Sequence, residues 1–156
     1  MPEKWRARLV IALAGVYVLA LLMAILFPAG NSLSKEQIEQ IHSDSNLHGI
    51  AYFVLKYRKE YAGRTPASLK DLAGYTDGYF EMFYAPTKSV VAAPDISTNV
   101  DDIDKFAAYV LVNSPSSDIL VYEKPGLWQD GTVGVCPTDG TVRRFSTKDF
   151  EQIKGL

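Results

Sequence analysis

One stretch of the chain constrains its fold more than any other: 19 consecutive residues, from Leu9 to Phe27, carry no charge (LVIALAGVYVLALLMAILF). As a helix, with about 1.5 Å of rise per residue, the stretch would be about 28 Å long, which matches the hydrocarbon core of a bilayer. The whole chain has 156 residues and is 47% hydrophobic, so one small domain fits beside this segment. The sequence therefore predicts one membrane-spanning helix followed by one domain.

The charges around this segment predict its orientation. Lys4, Arg6 and Arg8 precede it and only Glu3 opposes them, and basic residues beside a first membrane helix favour a cytoplasmic N-terminus. Of the 16 basic and 18 acidic residues, 13 and 17 lie elsewhere, so the rest of the chain has a net charge of −4. We therefore expect a bacterial inner-membrane protein with a cytoplasmic N-terminus (1–8), a transmembrane helix (9–27) and a periplasmic domain (32–156).

A cleaved signal peptide is the alternative explanation of the same run. The apolar core of a signal peptide is usually about 7–15 residues long and ends in small residues at an A-x-A-like cleavage site. Here the run is longer, and Phe27-Pro28-Ala29-Gly30 matches such a site poorly. We therefore expect an anchor that is not cleaved.

A second helix is predicted directly after the apolar run. Pro28 and Gly30 should break or kink the first helix, and Ser34 followed by Gln37 forms a capping-box pattern for the next one. Ala62-Gly63 would end it. Apolar residues recur at steps of three and four and predict one buried stripe, formed by Ile38, Ile41, Ile50, Phe53 or Val54, Tyr57 and Tyr61.

The remainder of the domain alternates turns with short regular elements. Thr65 and Pro66 predict the start of a short helix whose Leu69 and Leu72 face inward. Ser146 would cap a last helix that runs to Ile153. Between them lie four β-prone runs, at residues 107–112, 119–122, 132–136 and 141–145, the last two joined through the turn Asp139-Gly140. This order predicts an α+β fold with a small antiparallel sheet packed on the amphipathic helix.

Three segments resemble those of pilins and of type II secretion pseudopilins. Residues 61–72 (YAGRTPASLKDL) are similar to the segment after the long helix of pseudopilin-like proteins, which combines Tyr, Pro and Ser-Leu-x-x-Leu. Residues 119–125 and 134–142 are similar to their C-terminal hairpin, where one strand ends in Tyr-Glu and the next leads to Asp-Gly and Val. The resemblance implies an N-terminal apolar helix that continues into an amphipathic one packed on a small sheet.

The processing signature of those families does not occur in this sequence. Processed pilins carry a Gly, then an aromatic residue and, five residues into the mature helix, a Glu that helps subunits assemble. Here Gly15 is followed by Val16 and Tyr17, and no acidic residue lies between Leu9 and Phe27. The resemblance therefore implies neither prepilin-peptidase cleavage nor fibre assembly for this chain.

The sequence contains no recognisable catalytic or cofactor-binding pattern, and we expect neither enzymatic activity nor a cofactor. The two histidines, His42 and His48, are six residues apart on the predicted helix and about 120° off a common face, whereas a shared metal needs a spacing of three or four. G-x-S-x-G, H-E-x-x-H and phosphate-binding glycine loops do not occur. The single cysteine, Cys136, is predicted to be a small buried strand residue.

An acidic segment from Asp95 to Asp104 raises the question of calcium. Side-chain oxygens recur at alternate positions from Asp95 to Asp101, and calcium takes six to eight oxygen ligands. Against this, Val100 and Phe106 occupy the positions where an EF-hand needs Gly and Glu. We therefore expect no metal and a solvated loop, and the calcium candidates are Asp95, Asp101, Asp102 and Asp104.

Two kinds of residue are candidates for contacts with a partner. Gly15, with Ala12 before it, would let another membrane helix approach closely. Aromatic residues of the domain are the second kind, because they are enriched at the centres of interfaces, although they could equally fill the core. These further candidates are Tyr79, Phe80, Phe83, Tyr84, Leu127 and Trp128, the last in a predicted exposed loop.

One function and two alternatives follow. An anchor, a small domain and the lack of a catalytic pattern favour a non-enzymatic accessory subunit of a larger membrane complex, whether photosynthetic, respiratory or secretory. Its partners would be the lipid bilayer and other membrane-protein subunits, while the net charge of −2 provides no basic excess for nucleic acid. The alternatives are a pseudopilin-like component of a secretion or pilus system and a membrane-tethered ligand-binding protein or enzyme.

Overall fold

A computed structural model describes residues 33–86, 99–114 and 117–154 of the chain. The chain divides into two compact units, Met1–Leu33 and Ser34–Leu156. The predicted span at 9–27 with Gly15, the predicted break at Pro28-Gly30 and the calcium candidate Asp95 lie outside the described residues. Among the residues that are described, no helix is both long enough and apolar enough to cross a membrane.

The second unit begins with a long helix, α1 (Lys35–Glu60). The Oγ atom of Ser34 accepts a hydrogen bond from the Gln37 amide at 3.1 Å, and the Gln37 side chain accepts one from the Ser34 amide at 2.8 Å. These reciprocal bonds satisfy two amides at the start of the helix, so the predicted capping box is confirmed. The helix ends before Ala62 and Gly63, both of which have a positive φ, as the sequence predicts.

Short helices connect α1 to the sheet. The predicted start at Thr65-Pro66 is wrong by about one turn, because the Asp71 carboxylate accepts hydrogen bonds from the amides of Ala67 (2.8 Å) and Ser68 (3.1 Å) and thereby caps a later start. Leu69 and Leu72 are buried, as predicted. In the described part of this connection, the elements are the 3₁₀ helices Leu69–Tyr75, Phe80–Phe83 and Val100–Asp102, and the single turn α2 (Ile103–Phe106).

Four strands form an antiparallel sheet in chain order: β1 (Tyr109–Leu111), β2 (Ile119–Glu123), β3 (Thr132–Pro137) and β4 (Arg143–Ser146). The turn at Asp139-Gly140 joins β3 to β4, and Gly140 has the positive φ that such a turn requires. Ser146 then caps α3 (Thr147–Lys154) by accepting a hydrogen bond from the Asp149 amide at 3.2 Å. The predicted α+β class and the antiparallel sheet are confirmed.

The two faces of the sheet pack on different helices. One face and the short helices cover a core that contains Leu47, Ile50 and Val54 of α1. The other face packs on α3, where the rings of Tyr122 and Phe150 lie 4.8 Å apart. The sheet is therefore a middle layer between α1 and α3.

The buried stripe of α1 differs from the predicted one. Ile50 and Val54 are buried as predicted, but Ile38 is 43% and Ile41 is 49% exposed, and Tyr61 is also exposed. Ile38 and Ile41 lie near the N-terminal end of α1, and the surface of the sheet next to that end is polar. The residues of α1 that are buried are Ser43, Leu47, Ile50, Ala51 and Val54.

Candidate functional site

A row of four residues crosses the sheet beneath α1, with one residue from each strand. The register pairs Tyr109 with Glu123 and Gly134 with Arg144. Glu123 and Gly134 are joined by a hydrogen bond from the Gly134 amide to the Glu123 carboxylate at 2.6 Å. Because alternate residues of a strand face the same side, the row presents a phenol, a carboxylate and a guanidinium to α1.

The carboxylate of Glu123 is fully buried and has several donors. Its Oε1 atom accepts from the Ser43 hydroxyl at 2.5 Å, and its Oε2 atom accepts from the Trp128 indole at 2.8 Å and from the Gly134 amide. Arg144 lies at 3.3 Å from both oxygens. A buried charge is tolerated only with such pairing, because removal from water otherwise costs several kcal/mol.

Arg144 extends the same network to the backbone and side chains of α1. Its Nη2 atom donates to the Asp44 carboxylate at 2.6 Å and to the Gln40 carbonyl at 3.2 Å. Its guanidinium carbon also lies 5.4 Å from the centre of the Trp128 ring. Burial raises the pKa of Asp44, although the positive charge of Arg144 opposes that effect. Arg144 thus links two acidic groups that belong to different elements.

Tyr109 closes the network on the other side of Glu123. Its hydroxyl lies 2.9 Å from the Ser43 hydroxyl and accepts from the Asn46 side chain at 3.3 Å. Burial raises the pKa of Tyr109 to about 12, so the phenol stays neutral at physiological pH. We call the set Ser43, Asp44, Tyr109, Glu123, Trp128 and Arg144 the clasp.

Leu47 and Glu123 leave no room for a side chain at residue 134, which is a glycine. A Cβ atom there would lie 2.7 Å from Leu47 Cδ1 and 2.9 Å from Glu123 Oε2. The glycine therefore lets α1 and the carboxylate approach the sheet closely. With every oxygen of Glu123 engaged and no exposed surface, the clasp fixes α1 on the sheet and leaves no group of Glu123 free to bind a substrate.

Sequence reasoning missed Glu123 and Arg144 as central residues. The sequence did contain one indication, because Glu123 ends the otherwise apolar strand β2. A charged residue next to a buried apolar run is unfavourable unless another group pairs with it. The partners Ser43 and Arg144 lie 80 and 21 residues away, so only the tertiary structure brings them together.

Trp128 is not at an exposed loop tip, and this prediction is corrected. The residue is 5% exposed and its indole is bound to Glu123, so it lies back on its own domain, as one of the two interpretations held. Leu127 packs against the main core. Trp128→Ala should therefore destabilise the domain by about 3–5 kcal/mol and cannot serve as a purely interfacial change.

The aromatic candidates between Tyr79 and Tyr84 separate into buried and exposed residues. Phe83 is fully buried and contributes to the fold, whereas Phe80 is half-buried and packs against the core. Tyr79 is 58% exposed. Of this stretch, Tyr79 and, in part, Tyr84 keep the exposure that an interface residue needs.

Tyr79 and Tyr84 line a cavity of about 550 Å³ beside the first half of α1. Among the described residues, the Tyr84 hydroxyl has no hydrogen-bond partner. Burial, and then the negative charges of Asp102 and Asp104, raise the pKa of Tyr84. The wall of this cavity combines aromatic rings with polar groups and includes His42, Asn46, Tyr79, Glu81 and Tyr84.

The described calcium candidates have protein partners. Asp101 pairs with Lys70, whose hydrogen bond and charge lower the pKa of Asp101. Asp102 accepts from the Asn99 side chain at 3.3 Å, and Asp104 accepts from the Leu69 amide at 2.9 Å. Within the described ranges, no group of three or more His, Cys, Asp or Glu side chains is placed to hold a metal ion.

The two histidines lie apart on α1. His48 donates from Nδ1 to the Gly140 carbonyl at 2.9 Å, next to the β3–β4 turn, whereas His42 lines the cavity.

Comparisons of the chain with known protein families, with curated proteins and with solved structures give no match.

Proposed function

We propose that this chain is a single-pass membrane protein whose α+β domain is a non-enzymatic accessory subunit of a larger membrane complex. The proposal combines the 19-residue apolar run with a domain whose buried charges serve its own structure. In this view the run at 9–27 anchors the chain in the inner membrane, and the domain lies in the periplasm.

The observation that carries the proposal is the exposure of Tyr79 at the edge of the cavity. A tyrosine ring that is 58% exposed beside a cavity of about 550 Å³ offers both an anchor residue and a recess to a partner protein. The neighbouring Glu81 and His42 supply polar groups at the same wall, as the rims of interfaces commonly do.

Affinity purification of the full chain after gentle detergent extraction tests the proposal. We expect membrane-protein subunits to co-purify in fixed stoichiometry, and Tyr79→Ala to lower their retention by about thirtyfold, which corresponds to about 2 kcal/mol at a central interface residue. Tyr61→Ala is the matched control, because Tyr61 is also an exposed tyrosine but does not line the cavity.

Other outcomes of the same purification distinguish the alternatives. A chain cleaved near Gly15, or a mixed fibre in place of a stoichiometric complex, would favour a pseudopilin-like component. A chain that purifies alone and without any partner would contradict the proposal. The cavity would then favour a membrane-tethered ligand-binding protein, and a screen of small polar ligands by thermal shift would follow.

A further inference from the structure

Helix α1 has a second apolar surface that does not face the sheet. Ile38, Ile41 and Leu55 are exposed on this side, and Tyr52 is 60% exposed. At about 100° per residue these four side chains fall within an arc of about 100°, centred about 140° from the buried residues. We call this surface the outer face, and its exposed residues are Ile38, Ile41, Ser45, Tyr52 and Leu55.

The charges of α1 are sorted around the helix. Lys56 and Lys59 are exposed and continue the outer face toward the C-terminal end, where the Lys56 ammonium also lies 5.0 Å from the centre of the Tyr75 ring. The acidic residues of α1 are turned to other partners: Glu36 accepts from the Gln129 amide at 3.0 Å, Asp44 binds Arg144, Glu39 pairs with Lys35, and Glu60 accepts from the Tyr75 hydroxyl at 2.5 Å. The outer face is therefore apolar and cationic, in a chain with a formal net charge of −2.

Few residues of the sequence separate the outer face from the proposed anchor. The apolar run ends at Phe27 and α1 begins at Lys35, so seven residues separate them. Seven residues span at most about 25 Å when fully extended. If residues 9–27 cross the bilayer, the start of α1 stays within about that distance of the membrane surface, and Ile38 and Ile41 lie at most about 5 and 9 Å further along the helix.

We propose that the outer face of α1 rests on the headgroup region of the anionic bilayer in which the chain is anchored. This inference rests on the anchor of the proposed function. An apolar stripe with tyrosine and flanking lysines, and with its acids turned away, matches a surface that binds anionic lipids. A protein partner fits less well, because it would have to present an acidic surface of its own to match the lysines. Anionic lipid headgroups already carry that negative charge.

The test uses the full chain, incorporated at one copy per lipid nanodisc, with Cys136 replaced by Ala. A fluorescent bimane label is placed at Ile38→Cys or Tyr52→Cys on the outer face, and at Lys148→Cys as a control, because Lys148 is exposed on α3 beyond the sheet. Spin-labelled lipid and aqueous iodide serve as the two quenchers. In discs containing phosphatidylglycerol, we expect lipid quenching at positions 38 and 52 to be at least threefold stronger than at 148, with the opposite order for iodide.

A charge change tests the contribution of the lysines. Replacing Lys56 and Lys59 by Glu should lower the ratio of docked to undocked domain by at least about fivefold for each lysine, whereas Lys148→Glu should leave it unchanged. Raising the salt concentration or using only phosphatidylcholine should act in the same direction as the lysine changes.

Three outcomes would overturn the inference. Labels at 38 and 52 that iodide quenches as strongly as the label at 148 would place the outer face in water. Labels shielded from both quenchers would show that another part of the chain covers it. A chain that is lost from the discs in alkaline carbonate would contradict the anchor itself, and with it the proposed function; a chain that stays in the discs with iodide-accessible labels contradicts the docking alone.

Discussion

At the scale of single residues, the Glu123 carboxylate determines how α1 sits on the sheet. A buried carboxylate is unfavourable unless its neighbours replace the water that it loses. Here Ser43, Trp128 and the Gly134 amide each donate to it, and Arg144 balances its charge. Since these donors come from different elements, they are satisfied together only when α1 has one register on the sheet.

Glu123→Gln should destabilise the domain by about 3 kcal/mol. The amide is nearly the same size, but it removes the charge opposite Arg144 and turns one acceptor into a donor that faces other donors. Urea unfolding of the detergent-solubilised chain, followed by near-UV circular dichroism, measures the change. Glu151→Gln, at an exposed position of α3, is the control and should shift the free energy of unfolding by no more than about 0.5 kcal/mol. Equal effects of the two variants would refute the role given to the clasp.

Gly134→Ala should also destabilise the domain, by about 1–3 kcal/mol. The new methyl group would overlap Leu47 and the Glu123 carboxylate, so one of them must move. Gly74→Ala is the matched control, because no atom lies within 4 Å of a Cβ at that glycine. The control should be neutral or stabilising by up to about 1 kcal/mol through the unfolded chain. A Gly134→Ala protein with wild-type stability would show that the contact is looser than the structure indicates.

At the scale of the elements, α1 is apolar on two sides, and only one side is used inside the domain. The 3.6-residue period of a helix shows which apolar residues share a side, but it does not show which of two apolar sides faces the core. The side of α1 that carries Ser43 and Leu47 packs on the sheet, because it fits the polar residues that cross the sheet and the space left by Gly134. Ile38 and Ile41 consequently stay exposed.

A pair of substitutions six residues apart on α1 tests this assignment. Leu47→Ala should lower the free energy of unfolding by about 2–5 kcal/mol, since the side chain is fully buried. Ile41→Ala should lower it by less than about 1 kcal/mol, since about half of that side chain is exposed. If urea titration shows a larger loss of stability for Ile41→Ala than for Leu47→Ala, the buried stripe that the sequence predicts would be correct instead.

At the scale of the whole molecule, the proposed topology connects a cytoplasmic N-terminus to an exported domain. The domain is a three-layer unit of α1, sheet and α3, with its own capped helix start at Ser34. Among the described residues, the buried side chains of both core clusters lie between Leu47 and Phe150.

A cysteine-labelling scan in spheroplasts tests the topology. Lys148→Cys should react with a membrane-impermeant maleimide from outside, and Lys4→Cys should react only after permeabilisation. The native Cys136 should stay silent, because it is buried and burial, with the charge of Asp139, raises the pKa of its thiol to about 11. At pH 8 only about one such thiol in a thousand is a thiolate. Labelling of Lys4→Cys from outside, with Lys148→Cys protected, would reverse the proposed orientation.

Local chemistry made much of the fold predictable from the sequence. The capping box of Ser34 and Gln37, the helix end at Ala62-Gly63 and the turn at Asp139-Gly140 depend on neighbours close in the chain. The start of the helix after Thr65 was misplaced because Asp71 competed for the nearby amides. Even this error lies within about one turn.

The sequence by itself determined the α+β class, the order of the long helix, the four strands and the last helix, and the presence of one long uncharged run, since each follows from residue type and spacing over short distances. Only the tertiary structure decided which face of α1 is buried, why Trp128 lies inside, and how Ser43, Glu123 and Arg144 meet. The physical reason is that a buried charge is satisfied by donors from anywhere in the chain. The choice among donors depends on three-dimensional geometry, which no local pattern of residues records.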